Sequence, residues 1–388
     1  MLCSSRQFHH TLRTRINYTA IFLNEGLKRG YTSESIETGI PQRLPKRKVA
    51  LLLSFCGTGY QGMQKNPNAR TIESELFNAL VAAGAVSEEN SSDQNKVSLT
   101  RAARTDKGVH AAGQVVSLKM IISDPQIVPR INQHLPENIR VWDYVRVPKS
   151  FNPKNFCESR IYSYLLPTHV LMSTTENAIQ VVDTLKEDGE RQVPVTTEEE
   201  RIVQRQFRIS SEKLDILKNL SERFIGTHNF HNYTIGKSYT DTSAKRYITK
   251  FECSEPLIID GMEWVNFQVQ GQAFMLHQIR KMIGLIILTT RSNSPLSLIE
   301  DSFREPKLNV PKAPGIGLVL ERPLFTTYNK TAVAQGKRPI DFSLYKDQIE
   351  EFKRNHIMSS VTTLAVENDS FDQWIKSLYT FPESFDYL

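Results

Sequence analysis

An apolar run, Val49 to Phe55 with only Ser54 polar, follows a basic, proline-bearing stretch (Ile40 to Lys48) and reads as a buried strand. From Thr71 the period changes. Ile72, Leu76, Leu80 and Ala83 recur at helical spacing, Thr71 stands where an N-cap belongs, and Glu73 and Glu75 suit a first turn. "NSSDQN" (90–95) reads as a loop. "KVSLTRAA" (96–103) and "QVVSLKMI" (114–121) read as strands around a turn at Lys107–Gly108. "PQIVPRINQHL" (125–135) predicts a short helix. "NIRVWDYVRV" (138–147) alternates as a half-buried antiparallel strand does.

After Phe151 the same grammar returns. "RIYSYLLPT" (160–168) is strand-like, and "SSEKLDILKNLSERFIG" (210–226) is an amphipathic helix. Strands flank Asp260–Gly261, a hairpin signal. "AFMLHQIRKMIGLIILTTR" (273–291) is a helix apolar on most sides, hence buried, and "GIGLVLERPLF" (315–325) is a last strand. The segment between Met172 and Arg208 is charge-rich without an apolar period and reads as a surface insertion. The tail from Thr331 is more polar, with a helix expected near "KDQIEEFKRNHI" (346–357). No regular alternation of strand, helix and strand marks a long parallel sheet. The pattern predicts an α+β fold in two halves, 45–150 and 151–330, with a leader and linker before them (1–44) and an extension after (331–388).

The 388 residues allow a sizeable core, and 39% hydrophobic with 23% charged residues is a globular composition. The formal net charge of +6 suits a polyanionic partner without requiring one. Cys3, Cys56, Cys157 and Cys253 form no C-x-x-C pair, and the nine histidines no H-x-x-x-H pattern, which argues against structural zinc and a disulfide framework. The longest apolar run, near Met282, is about half of the ~20 residues a bilayer needs, so no membrane span is expected.

The N-terminus differs in kind. No acidic residue precedes Glu25, Arg6, Arg13 and Arg15 are present, and Phe8, Leu12, Ile16, Leu23 and Leu27 roughly share one helical face. Such a start reads as a mitochondrial transit peptide, with a disordered basic tail as the plain alternative. "RGYTS" (29–33) resembles an R-x-Y site for the matrix processing protease.

Gly57, Gly59 and Gly62 carry the spacing G-x-G-x-x-G directly after a strand. In a dinucleotide fold the third glycine opens a helix and an acidic residue follows about 20 residues on. Here Pro67 delays the helix to Thr71, and the acidic residue is missing. The glycines therefore mark either a plain loop or a place where backbone makes a close approach.

The densest chemistry is "RAARTDKGVHAAGQ" (101–114), where Asp106 sits among Arg101, Arg104 and Lys107 at a strand–turn–strand junction. Cations around a carboxylate favour its ionised form. Such a group can serve as nucleophile or general base toward an anionic substrate, while the cations hold phosphate. The bland alternative is an aspartate capping a D-K-G turn. His110 is a candidate base or ligand, although a lone histidine is more often structural. Arg160, Tyr162 and Tyr164 share one strand face, where a ring could stack on a base or simply pack the sheet. Arg280 lies in an otherwise apolar helix and requires a partner.

These residues carry a resemblance. "RAARTDKGVHA" is similar to the signature around the essential aspartate of the TruA-type tRNA pseudouridine synthases, and "FCGTGYQGMQ" to their glycine loop. "RIYSYLLPT", "FIGTHNFHNYT", "FMLHQIRKMIG" and "APGIGLVLERPLF" resemble later family blocks in the family's order, so the likeness runs from about Lys48 to Phe325. Met63, "LLPT" and "THNFHNYT" look like the eukaryotic branch, and the import-like start suggests its mitochondrial member.

The resemblance implies two ferredoxin-like, RRM-like α+β halves sharing an extended antiparallel sheet, with helices on one side and a basic cleft between them. It implies isomerisation of tRNA uridines, in the anticodon stem, with no cofactor and no metal. Asp106 resembles the catalytic aspartate and Arg104 the arginine that takes the place of the flipped-out nucleotide. Tyr162 resembles the tyrosine that packs on the target base, and Arg280 the arginine that pairs with the aspartate. Tyr60, Gln61, Lys107 and His110 are candidate RNA contacts. The chief rival is a tRNA-binding or tRNA-folding protein without catalysis. The mitochondrial matrix is the expected location, with nucleus or cytoplasm as the alternative. The insertion between Met172 and Arg208 has no clear counterpart in short bacterial members, and the resemblance assigns no role to it or to the tail after Thr331.

Overall fold

The computed structural model describes residues 44–173 and 193–380. In chain order the first half holds β1 (Lys46–Phe55), α1 (Ile72–Ala82), β2 (Thr100–Arg101), β3 (His110–Ile121), α2 (Ile127–Gln133), β4 (Ile139–Arg146) and α3 (Pro153–Phe156). The second holds β5 (Ser159–Pro167), α4 (Glu198–Gln206), α5 (Ser211–Glu222), β6 (Gly226–Asn229), β7 (Lys245–Cys253), β8 (Leu257–Ile259), β9 (Met262–Gly271), α6 (Gln278–Ser292), α7 (Leu298–Asp301) and β10 (Leu318–Leu324). The extension adds α8 (Thr326–Ala334), α9 (Lys346–Phe352), α10 (Ser359–Val366) and α11 (Ser370–Thr380).

One sheet spans both halves in the order β4-β1-β3-β10-β5-β9-β7-β6, with β2 beside β3 and β8 beside β9. The α+β class is as expected, and the pairing is antiparallel except at the seam. There β10 leaves the second half and meets β3 in parallel through Val319–His110 and Leu320–Ala111. On its other side β10 pairs antiparallel with β5, so this one strand joins the halves. The Asp260–Gly261 hairpin forms with both residues at positive φ, 51° and 82°, the backbone such a tight turn needs.

Local signals explain the elements. The Thr71 hydroxyl accepts from the Ser74 N–H at 3.3 Å, and Ile72, Leu76, Leu80 and Ala83 are fully buried. The run Val49–Leu53 is buried at every position, so both faces of β1 are covered. The second face is covered by the extension: Trp142 of β4 stacks on Tyr345 at 6.5 Å and meets Phe352 edge-on at 6.0 Å. Helices thus lie on both sides here, which the first half alone could not show. A π-helical stretch, Lys353–Met358, joins α9 to α10.

Three expectations change. Of 96–103 only Thr100–Arg101 is strand, because Gln94–Val97 closes a tight turn and Ser98 takes a left-handed φ of 53°. The helix expected from Ala273 starts at Gln278, freeing 273–277 to line a pocket. Within the insertion, 174–192 lies outside the described residues. The remainder includes α4, tied to α11 by the ion pair of Lys376 with Glu200 (2.8 Å) and to the residue before α11 by that of Arg201 with Asp369 (2.7 Å). The insertion and the tail therefore hold each other.

Candidate active site

The glycine loop and the aspartate turn are laced together by backbone. The Met63 N–H donates to Thr105 O at 3.2 Å, and the Gly108 N–H to Tyr60 O at 3.3 Å. A Cβ on Gly57 would stand 2.1 Å from Val109 O, and one on Gly62, at φ +106°, 2.7 Å from Thr105 O. The glycines thus permit a close approach, but to the chain's own aspartate turn. Gly57→Ala should lower stability by about 2–3 kcal/mol, since a backbone oxygen yields poorly to overpacking. A thermal melt within a degree of wild type would contradict this.

That lacing presents Asp106 at the lip of β3. The Val109 N–H donates to Asp106 O at 3.2 Å, and Gly108 supplies the positive φ of the turn. Carboxylate Oδ2 takes both partners: His277 Nδ1 at 2.8 Å and Arg280 Nη1 at 3.5 Å. Among the described residues Oδ1 has no hydrogen bond, and the side chain is 23% exposed. The buried helix therefore carries Arg280 because Asp106 is its partner. Arg280 is also fixed by Nε donating to Ala313 O at 2.7 Å. Burial pulls its pKa below the ordinary value, with Tyr164 and Asp106 opposing, and a guanidinium remains charged regardless.

His277 escaped the sequence reading. It sits at φ +66° just before α6, a left-handed conformation that few non-glycine residues adopt. The signal available was its spacing, three residues before Arg280.

A cavity of about 550 Å³ opens beside Asp106, of a size to hold a nucleoside. Tyr162 lines it, buried, with its ring edge-on to Phe274 at 5.3 Å. Burial pushes the Tyr162 phenol well above its usual range, so it offers a neutral ring and hydroxyl. Arg160 braces the wall from both halves, donating to Ala102 O (2.9 Å), Gln272 O (2.6 Å) and Lys154 O (3.4 Å). Arg104 and Lys107 are exposed at the turn, as is Gln61. A larger cavity, about 840 Å³, lies along α8. Its one carboxylate, Asp341, is engaged by Ser343, so the converging charges are at the smaller one.

Other expected contacts fall away. Tyr60 is 1% exposed, with Arg70 over its ring at 4.7 Å, and so belongs to the core rather than to an RNA surface. His110 is fully buried; its Nδ1 accepts from the Gly57 N–H at 3.1 Å and its Nε2–H donates to Ile316 O at 3.0 Å. With both nitrogens used it is a structural histidine, neither base nor RNA contact. Arg101 turns from Asp106 to the buried Glu73, whose pKa burial raises. Among the described residues no three His, Cys, Asp or Glu side chains gather as metal ligands.

The arrangement joins one half-shielded carboxylate, fixed cations and an aromatic pocket. Residues 220–326, which include His277 and Arg280 but not Asp106, match the family model described as tRNA pseudouridine synthase. The tRNA pseudouridine synthase 1 of Yarrowia lipolytica is 39% identical over 406 residues, covering 89% of this chain and 77% of that protein. That of Saccharomyces cerevisiae is 42% identical over 361 residues, covering 79% and 66%. The pseudouridylate synthase 1 homolog of Mus musculus is 40% identical over 343 residues, covering 87% and 75%.

Proposed function

Since the chain belongs to the TruA-type tRNA pseudouridine synthase family, an isomerase acting on uridines of tRNA, we propose that Asp106 performs the chemistry. The observation that carries this is the Asp106 carboxylate, held by His277 and Arg280 through Oδ2 alone, at the mouth of an aromatic pocket. Conversion of uridine to pseudouridine breaks the N1–C1′ bond, turns the base, and forms C5–C1′. A proton leaves C5 and one is gained at N1, so redox and composition are unchanged. An ionised carboxylate can attack ring or sugar, or take a proton from the sugar, and Oδ1 is the oxygen left to do either.

A uridine inside a stem must first leave the stack, at a cost of a few kcal/mol. Exposed Arg104 entering the vacated place would offset part of it, and Tyr162 would pack on the flipped base. Lys107 and Gln61, both exposed, would meet the RNA backbone. Tyr162→Phe should therefore retain most turnover, while Tyr162→Ala should lower it at least tenfold; equal kinetics for the two would remove the ring from base recognition.

The proposed substrates are uridines of the anticodon stem in mitochondrial tRNAs. The support for import is the acid-free, arginine-bearing start, which lies outside the described residues. Mapping pseudouridine in mitochondrial and cytosolic RNA with and without this protein tests both parts. Loss confined to cytosolic tRNA would overturn the mitochondrial assignment.

A further inference from the structure

Three lysines lie on segments that hydrogen bonds tie to α6 near Arg280. Lys281 follows Arg280 in α6 and donates through Nζ to Asn232 O at 3.1 Å. Asn232 also holds the segment bearing Lys307. Its amide donates to Ser302 O and Pro306 O, and its Oδ1 accepts from the Leu308 N–H at 3.1 Å. Lys312 is fixed against Arg280 by a reciprocal pair: Arg280 Nε to Ala313 O at 2.7 Å, and the Ala313 N–H to Arg280 O at 3.1 Å. The segments bearing Lys312, Lys281 and Lys307 are thus held to the helix that carries Arg280, the partner of Asp106.

Among the described residues no carboxylate forms an ion pair with any of these lysines. Burial and then repulsion from Lys307 and Lys312 lower the pKa of Lys281, and burial and then Arg280 lower that of Lys312. Asp106 alone among the carboxylates opposes this at Lys312, and its Oδ2 is already engaged by His277 and Arg280, so the cations outnumber it and a further anion would relieve their repulsion.

We propose that Lys281, Lys307 and Lys312 bind a phosphodiester flanking the flipped uridine, and so position the RNA strand at Asp106. The inference rests on the reading that this pocket receives an RNA uridine. On that reading the anion is a backbone phosphate of the strand that delivers the uridine to Asp106. These are positioning residues, acting on binding more than on the reaction itself.

The test uses full-length protein, unmodified tRNA transcript and the exposed positions, Lys307→Gln, Lys312→Gln and the double variant. Binding is measured over a range of salt concentrations. Each substitution should flatten the dependence of log affinity on log salt by about 0.7–0.9, the share of one phosphate contact. KM should rise several-fold with kcat within about twofold, and arginine at either position should restore both. Unchanged salt dependence overturns the proposal, as does a loss of melting temperature with that dependence intact, which would mark a structural role. Because the binding slope needs no turnover, it fails or succeeds separately from the catalytic reading. A wild type that bound tRNA but made no pseudouridine would sink the latter alone.

Discussion

Asp106→Asn should reduce pseudouridine formation at least about a thousandfold while leaving tRNA affinity within a few-fold. Asparagine keeps the shape and can still accept through Oδ1 from His277 or Arg280, so the turn at 105–109 should persist. What it removes is the negative charge, and with it the nucleophile or base. Affinity should survive because most of it resides in phosphate contacts spread along the strand. Turnover at the wild-type rate in this variant would take Asp106 out of the mechanism.

Arg280→Ala should be the next most damaging change. It deletes the cation 3.5 Å from Asp106 Oδ2 and the Nε bond to Ala313 O. The carboxylate then leans on His277 alone, and the segment carrying Lys312 loses one of its two ties to α6. We expect kcat to fall roughly a hundredfold with KM shifted only a few-fold, the pattern of an interaction that orients the reacting group. Stability should drop by about 1–2 kcal/mol from the lost hydrogen bond. Arg280→Lys, which restores charge but not the forked geometry, should recover part of the turnover. Equal losses in binding and turnover would instead make Arg280 a phosphate contact.

What could be read in the chain beforehand was what local chemistry decides. The Thr71 cap, the buried run Val49–Leu53 and the Asp260–Gly261 hairpin each follow from neighbours a few residues away. Arg280 was legible for another reason: a charge within an apolar helix demands a distant partner, and the family resemblance named the aspartate as that partner. Misreadings arose where packing across the sheet decides. Tyr60 and His110 stand in stretches that look polar, but Arg70 covers one and the Gly57 and Ile316 backbone claims the other. Arg101 lies close to Asp106 in sequence, yet Glu73 of α1, read only as a first-turn acid, takes its guanidinium. His277 was missed because it was read as one more position of the helix expected from Ala273, whereas its left-handed backbone sets it before α6. Nor could the polar tail announce that it covers the second face of β1 and β4, since its aromatic contacts come from α9 and the turn before it.

The most direct test is release of tritium from tRNA labelled at uridine C5, with purified protein, a metal chelator and no added cofactor. The prediction is one C5 hydrogen released for every pseudouridine formed by wild type, and none above background for Asp106→Asn. Release by Asp106→Asn at the wild-type rate, or no release by wild type on any tRNA, would contradict the assignment of uridine isomerisation to this aspartate.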